Sequence, residues 1–153
     1  MNQVFKVLKP IKTIALVAHD HKKDDLAAWV AKHKDALIGH KLLATGTTGR
    51  KIEEVLGVSI EKLMSGPLGG DQQLGSMIAQ GHVDMIIFFW DPMEAQPHDS
   101  DVKALLRIGV VWNIPMACDP STADFMISSP FMNSEYIIEV TDYSEYLNRK
   151  LEV

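Results

Sequence analysis

Two unbroken apolar runs constrain this chain more than anything else in it: Thr13-Ile14-Ala15-Leu16-Val17-Ala18 and Met85-Ile86-Ile87-Phe88-Phe89-Trp90. Neither alternates apolar with polar residues, so neither suits a strand with one wet face. A strand-length run that is apolar at every position is buried on both faces, as in a parallel sheet covered by helices. Both runs are far short of the roughly 20 residues of a membrane span. The segments around them read alternately as strand and helix. Strands are expected over 13–18, 41–44, 58–64, 83–90 and 113–118, with an edge strand over 136–140. Helices are expected over 24–37, 52–56, 72–80, 102–112, 123–127 and 143–151. Gly39, Gly57 and Gly81 serve as stops, and Ser121 or Thr122 as a cap. Leu26, Val30, Leu37, Leu74, Met77, Ile78, Leu105, Leu106 and Val110 are the expected core positions of the helices. The alternation predicts an α/β fold: a three-layer α/β/α, doubly wound, mostly parallel five-stranded sheet with right-handed crossovers. The 153 residues read as a single domain over 1–153.

Charge and cysteine content narrow the classes. The net charge is −5, which gives no electrostatic reason to expect nucleic acid or an anionic membrane as partner. A small anion held by local groups stays compatible with that sign. Cys118 is the only cysteine, so no intrachain disulfide forms, and one thiol suits a reducing cytoplasm. Met1 to Pro10 carries lysines without a long apolar run and is not read as a signal peptide.

In doubly wound sheets ligands bind beyond the carboxyl ends of the strands. The chemically rich segments fall there: 19–23 after the first strand, 45–49 after the second, 65–71 after the third and 91–101 after the fourth. Thr45-Gly46-Thr47-Thr48-Gly49 joins a strand to a helix with three hydroxyls and two glycines. Helix-terminal amides and hydroxyls suit a phosphate, although the run lacks a Walker A ending. It reads equally as a turn that Thr47 or Thr48 caps. Lys23 can reach the same place as a point charge, or stand as a solvated first-turn lysine. Ser65-Gly66-Pro67-Leu68-Gly69-Gly70-Asp71-Gln72-Gln73 packs three glycines and a proline ahead of one carboxylate. Asp71 there is either an N-cap or a base held by a stiff loop.

Three chemistries remain open on these residues. His19, Asp20, Asp91, His98 and Asp101 have donor types that suit zinc or manganese, but their spacing matches no local metal motif. That set would suit a metal-dependent hydrolase. A non-catalytic module would use the threonine loop alone. Acid–base chemistry beside a phosphate would combine a carboxylate base, an imidazole on a carbonyl oxygen and an anion clamp, the parts needed to enolise a phosphorylated ketone. His33, His40 and His82 lie in helical or turn contexts and read as surface groups, and His21 is ambiguous.

Several blocks together, in order, resemble methylglyoxal synthase: His19-Asp20, Ala44-Thr45-Gly46-Thr47-Thr48-Gly49, Ser65-Gly66-Pro67, Gly69-Gly70-Asp71-Gln72-Gln73, Phe89-Trp90-Asp91-Pro92, Pro97-His98-Asp99, and Asp101-Val102-Lys103-Ala104-Leu105-Leu106-Arg107. The resemblance runs from about Ile14 to Phe125 and covers the C-terminal helix more loosely. It implies a carbon–oxygen lyase that converts dihydroxyacetone phosphate to methylglyoxal and inorganic phosphate, a bypass of glycolysis, with no metal and no cofactor. By the same resemblance Asp71 is general base and acid. His98, with Asp101 behind it, handles the enediolate oxygens, and His19 lies beside the substrate. Lys23, Thr45, Gly46, Thr47, Thr48, Ser65 and Gly66 hold the phosphate, while Asp20 and Asp91 are supporting polar residues. A cytoplasmic homohexamer inhibited by phosphate is implied too, with Arg149 or Lys150 as candidates to reach a neighbouring subunit's site. Related domains of this fold regulate carbamoyl phosphate synthetase through a similar threonine loop, which keeps a phosphate- or nucleotide-binding regulatory domain as the alternative.

Overall fold

The computed structural model describes residues 2–149. Along it run β1 (Gln3–Leu8), β2 (Thr13–Ala18), α1 (Lys23–Lys32), α2 (Lys34–Leu37), β3 (Lys41–Thr45), α3 (Gly46–Leu56), β4 (Glu61–Leu63), α4 (Gly70–Ala79), β5 (Met85–Phe89), α5 (Asp99–Val111), β6 (Met116–Ala117), α6 (Pro120–Ile127), β7 (Tyr136–Thr141) and α7 (Ser144–Leu147). Five strands make one parallel sheet in the order β4-β3-β2-β5-β6. The doubly wound α/β sheet expected from the two apolar runs is the observed one.

Side chains alternate across a strand, so β2 feeds two separate cores. Ile14, Leu16 and Ala18 face α1, α3 and α6, where they meet Leu26, Trp29, Val30, Ile52, Leu56 and Ala123. Ala15 and Val17 face α4 and α5, where they meet Leu74, Ile78, Val102 and Leu105. Burying one such aliphatic side chain is worth about 1.5–3 kcal/mol, which is why β5, and β2 beyond Thr13, carry no polar residue.

Several expectations need correction. The expected helix over 24–37 breaks at His33, whose amide is shared between the carbonyls of Trp29 and Val30. His33 Nε2 and Trp29 Nε1 both meet Asp124 Oδ1, at 3.1 and 2.9 Å. His40 is likewise built into the fold: its Nδ1 accepts from the Lys12 amide at 2.9 Å, and Nε2 pairs with Asn133 Oδ1 at 3.0 Å. Neither is the free surface group expected. Val110 is exposed, because the buried stripe of α5 runs through Val102, Leu105 and Gly109. Gly109 is small for a reason: a Cβ there would lie 2.2 Å from Met116 Sδ. α6 is capped by Asp119, which accepts from the Thr122 amide at 2.8 Å, rather than by Ser121 or Thr122. The strand expected over 136–140 is not an edge of the main sheet. It pairs antiparallel with β1, a strand the N-terminal sequence gave no reason to expect, in a separate two-stranded ribbon. No helix among the described residues is long and apolar enough to cross a membrane.

Candidate active site

All four chemically rich segments meet at the carboxyl edge of the parallel sheet. β2 has β3 on one side and β5 on the other, so its end is the point where the winding changes direction. There a cavity of about 270 Å³ is lined by His19, Asp20, Lys23, Thr45, Gly46, Thr47, Thr48, Ser65, Gly66, Pro67, Asp71, Gln96 and His98 among others.

The glycine loop places the carboxylate. Ser65 leads into a 3₁₀ turn, Gly66–Leu68, and Gly69 then takes φ +110° as the residue preceding α4. Only a residue without Cβ takes that conformation freely. Gly70 passes so close to the preceding strand that a Cβ would lie 2.0 Å from the Met64 carbonyl oxygen. Gln73 Oε1 accepts from the Met64 amide at 2.8 Å and locks the loop to the helix. Asp71 therefore stands one residue inside α4. It is not the N-cap: Gly69 holds that position without a side-chain bond.

Its carboxylate is spent on His98 instead. Asp71 Oδ2 meets His98 Nδ1 in a buried contact, and Asp71 Oδ1 is buried with no hydrogen-bond partner in the protein. A carboxylate only accepts, so His98 Nδ1 carries the hydrogen and its Nε2 is an acceptor in the neutral ring. Gly66 closes against this pair. A Cβ on Gly66 would lie 2.6 Å from His98 Cε1 and 3.3 Å from Asp71 Oδ2.

His19 stands across the cavity, its ring edge-on to His98 with centroids 5.3 Å apart and edge-on to Phe88 at 5.1 Å. Its Nδ1 accepts from the Asp91 amide at 3.0 Å, so the neutral ring carries its proton on Nε2. That nitrogen is buried without a partner in the protein. Burial holds the His19 pKa below the usual histidine range, and the charge of His98 pushes the same way. Asp71, Asp99 and Asp91 act against them more weakly.

The start of α3 lines the same cavity as these groups. α3 begins directly after β3 with Thr45 as N-cap, and no side chain caps it. The capping role expected as one reading of Thr47 or Thr48 is thus not taken up, and the first-turn amides point out of the helix end. Thr45 and Thr48 are buried. Lys23 Nζ donates to Thr47 Oγ1 at 2.5 Å and to Asp20 Oδ1 at 2.6 Å. That ammonium holds the Asp20 carboxyl below the usual range. Gly46, at φ +45°, lets this loop touch the next one; a Cβ would lie 2.7 Å from Ser65 Cα.

Other expected members fall differently. Asp101 is not behind His98: its Oδ1 accepts from Gln72 Nε2 at 3.2 Å, while its amide donates to the His98 carbonyl. Asp91 lies just outside the cavity, with Oδ1 accepting from the Met93 amide at 3.1 Å and Oδ2 3.5 Å from His21 Nδ1. His21 also meets Glu94 at 2.5 Å. Among the described residues, His21, Asp91 and Glu94 are the one trio spaced like metal ligands. The set expected for a metal, His19, Asp20, Asp91, His98 and Asp101, is not brought together as ligands. Gln96 lines the cavity without having been singled out; it lies two residues before His98, the one hint available. Arg149 stacks over the Tyr146 ring at 4.2 Å, and Lys150 lies outside the described residues. A second cavity, of about 320 Å³, opens at the amino edge of the sheet between Met85, Phe125, Met126 and Met132, and its walls hold no histidine–carboxylate pair.

Comparison with known proteins agrees with this geometry. Residues 25–118 match the family described as the MGS-like domain. Methylglyoxal synthase of Cellvibrio japonicus is 59% identical over 91% of this chain and 90% of its own length. Methylglyoxal synthase of Aliivibrio fischeri strain ES114 is 55% identical over 99% of this chain and 100% of its own. The crystal structure of methylglyoxal synthase from Elizabethkingia anophelis superposes with a TM-score of 0.91 at 66% identity, covering 97% of this chain and 98% of that one. Identity this high over nearly the whole length, on a shared fold, is decisive: the chain belongs to the methylglyoxal synthase family.

Proposed function

We infer that this protein is a phosphate-eliminating lyase that converts dihydroxyacetone phosphate to methylglyoxal and inorganic phosphate. The observation that carries this is the buried Asp71–His98 pair sharing one cavity with the uncapped start of α3.

The phosphate of the substrate sits at the α3 terminus, held by the Gly46, Thr47 and Thr48 amides, the Thr45 and Thr48 hydroxyls, Lys23, Ser65 and Gly66. Asp71, through its unpartnered Oδ1, takes a proton from the hydroxymethyl carbon. The carbonyl oxygen gains charge in that step and takes a hydrogen bond from His19 Nε2–H. Oxyanion stabilisation of this kind lowers a barrier because the donor is fixed before the charge appears. His98 Nε2 accepts the proton of the substrate hydroxyl. The electron pair released there forms the aldehyde carbonyl, the carbon–carbon double bond shifts, and the C–O bond to phosphate breaks. The enolate oxygen takes back the proton that Asp71 holds, so the product leaves as the enol of methylglyoxal, and water-borne proton exchange to its terminal carbon gives the ketoaldehyde.

Both an isomerase and this lyase pass through an enediolate. Phosphate departs only when its C–O bond stands out of the enediolate plane, so a clamp that fixes that torsion selects the product. Asp20 supports the clamp by holding Lys23. Phosphate, as a product that fits the same cradle, inhibits. A cytoplasmic homohexamer that bypasses part of glycolysis completes the reading; it rests on the family resemblance. A regulatory module of this fold would need the cradle but not the buried carboxylate–imidazole pair.

The test is direct. Purified protein mixed with dihydroxyacetone phosphate, treated with chelator and given no added metal, should release methylglyoxal and phosphate in equal amounts. Absence of both products rejects the lyase; activity lost to chelator and restored by metal favours the hydrolase chemistry.

A further inference from the structure

His19 can donate to a substrate oxygen only if its proton sits on Nε2, and something must keep it there. We propose that Asp91 is a positioning residue that fixes the Nε2–H tautomer of His19. The inference deepens the function proposed above, since it rests on His19 acting as a donor.

The contact is a backbone one. Asp91 N–H donates to His19 Nδ1 at 3.0 Å inside the protein, so a hydrogen on Nδ1 would collide with it. The His19 amide in turn donates to the Phe89 carbonyl at 3.2 Å. The ends of β2 and β5 are thus tied in both directions. What aims the Asp91 amide is its own side chain. Asp91 Oδ1 accepts from the Met93 amide at 3.1 Å and closes a turn over two residues. Oδ2 faces His21, which Glu94 holds from the other side. The carboxylate is buried, 6% exposed for the whole residue. Removing it leaves the Met93 amide without its acceptor and releases the turn. With the Asp91 amide no longer aimed at the ring, the Nδ1–H tautomer becomes available. His19 then presents a lone pair to the cavity, and a lone pair repels a developing oxyanion.

The charged groups that act on His19 are His98, Asp71, Asp99, Asp91 and Asp20. Both tautomers are neutral, so these charges shift protonation, whereas the Asp91 amide alone discriminates between the two neutral rings.

The experiment is ¹⁵N NMR of histidine-labelled protein without substrate, with the His19 signals assigned by their loss in His19→Gln. Wild type should show a protonated Nε2 and an unprotonated Nδ1. Asp91→Ala should show a mixture of tautomers, with kcat lowered about tenfold or more and KM for dihydroxyacetone phosphate within about threefold. Asp91→Asn keeps the oxygen that accepts from Met93 and should remain near wild type in both measurements. An Nδ1–H signal in wild type overturns the proposal. So does an unchanged tautomer in Asp91→Ala, or an Asp91→Asn as impaired as the alanine variant. If Asp91→Ala does not fold, the wild-type and Asp91→Asn spectra decide. The spectra need no turnover, so a failure here is distinct from a wild type that makes no methylglyoxal.

Discussion

Asp71 owes its place to what its neighbours lack. Gly70 has no Cβ to strike the Met64 carbonyl, and Gly66 none to push His98 off the carboxylate. Replacing Asp71 by Asn keeps the shape and removes the proposed base. Turnover should fall by about 10²–10⁴-fold while the far-ultraviolet circular dichroism and melting temperature stay close to wild type; near-normal turnover in the folded variant rejects the assignment. Gly66→Ala is a finer probe. Its methyl would lie 2.6 Å from His98 Cε1, under any normal contact distance, so the imidazole must move. A shift of about 1 Å in catalytic geometry can cost 10²-fold, and steady-state kcat should fall by that order. The sequence pointed to Asp71 through the glycines before it, to His19 and His98 through their places among carboxylates after the apolar runs, and to the threonine loop through its hydroxyls and glycines. It misplaced Asp101 because partners on adjacent helical turns are settled by side-chain direction. One turn of α5 turns Asp101 towards Gln72 and leaves His98 to Asp71.

α3 starts at Gly46, several residues earlier than the apolar pattern suggests. Apolar periodicity detects the packed end of a helix at Ile52 and Leu56, whereas its first turn holds only threonine and glycine. In the proposed reaction that first turn holds the phosphate, since an uncapped helix start carries a partial positive charge of roughly half a unit. Lys23 adds an ammonium beside it, paired with Asp20. A hydrogen bond from a charged group is worth about 1.5–3 kcal/mol, so Lys23→Ala should weaken substrate and inorganic phosphate together, each by about 10- to 100-fold. Competitive inhibition by phosphate measures this; an unchanged inhibition constant contradicts the clamp. Val110 is a related case. It satisfies a helical spacing yet is exposed, because the buried stripe passes one residue earlier, through Gly109.

The parallel sheet could be anticipated from the sequence because β2 and β5 are apolar on both faces, and the two cores follow from that. The ribbon could not, since its register joins Gln3 to Thr141 and Leu8 to Tyr136, and no local pattern announces a partner so distant. Stability should respond to pH through two histidines. Burial lowers the pKa of both His19 and His40 in the fold, while unfolded they titrate near 6.5. Between the folded and unfolded values the unfolded chain binds more protons, so stability falls as pH drops through about 6.5. The melting temperature should decline from about pH 7.5 to pH 5.5, and His40→Gln should flatten part of that slope. The Asp20 and Asp124 carboxyls are held low by Lys23 and by Trp29, so their contribution disappears only in stronger acid, below roughly pH 4. The ribbon has a consequence for biosynthesis. β1 leaves the ribosome long before its mate, so Val4, Phe5 and Val7 travel as an open strand edge until β7 has emerged. Such edges invite pairing between chains, and a nascent polypeptide stalled before β7 is the form of this protein most exposed to aggregation and most in need of a chaperone.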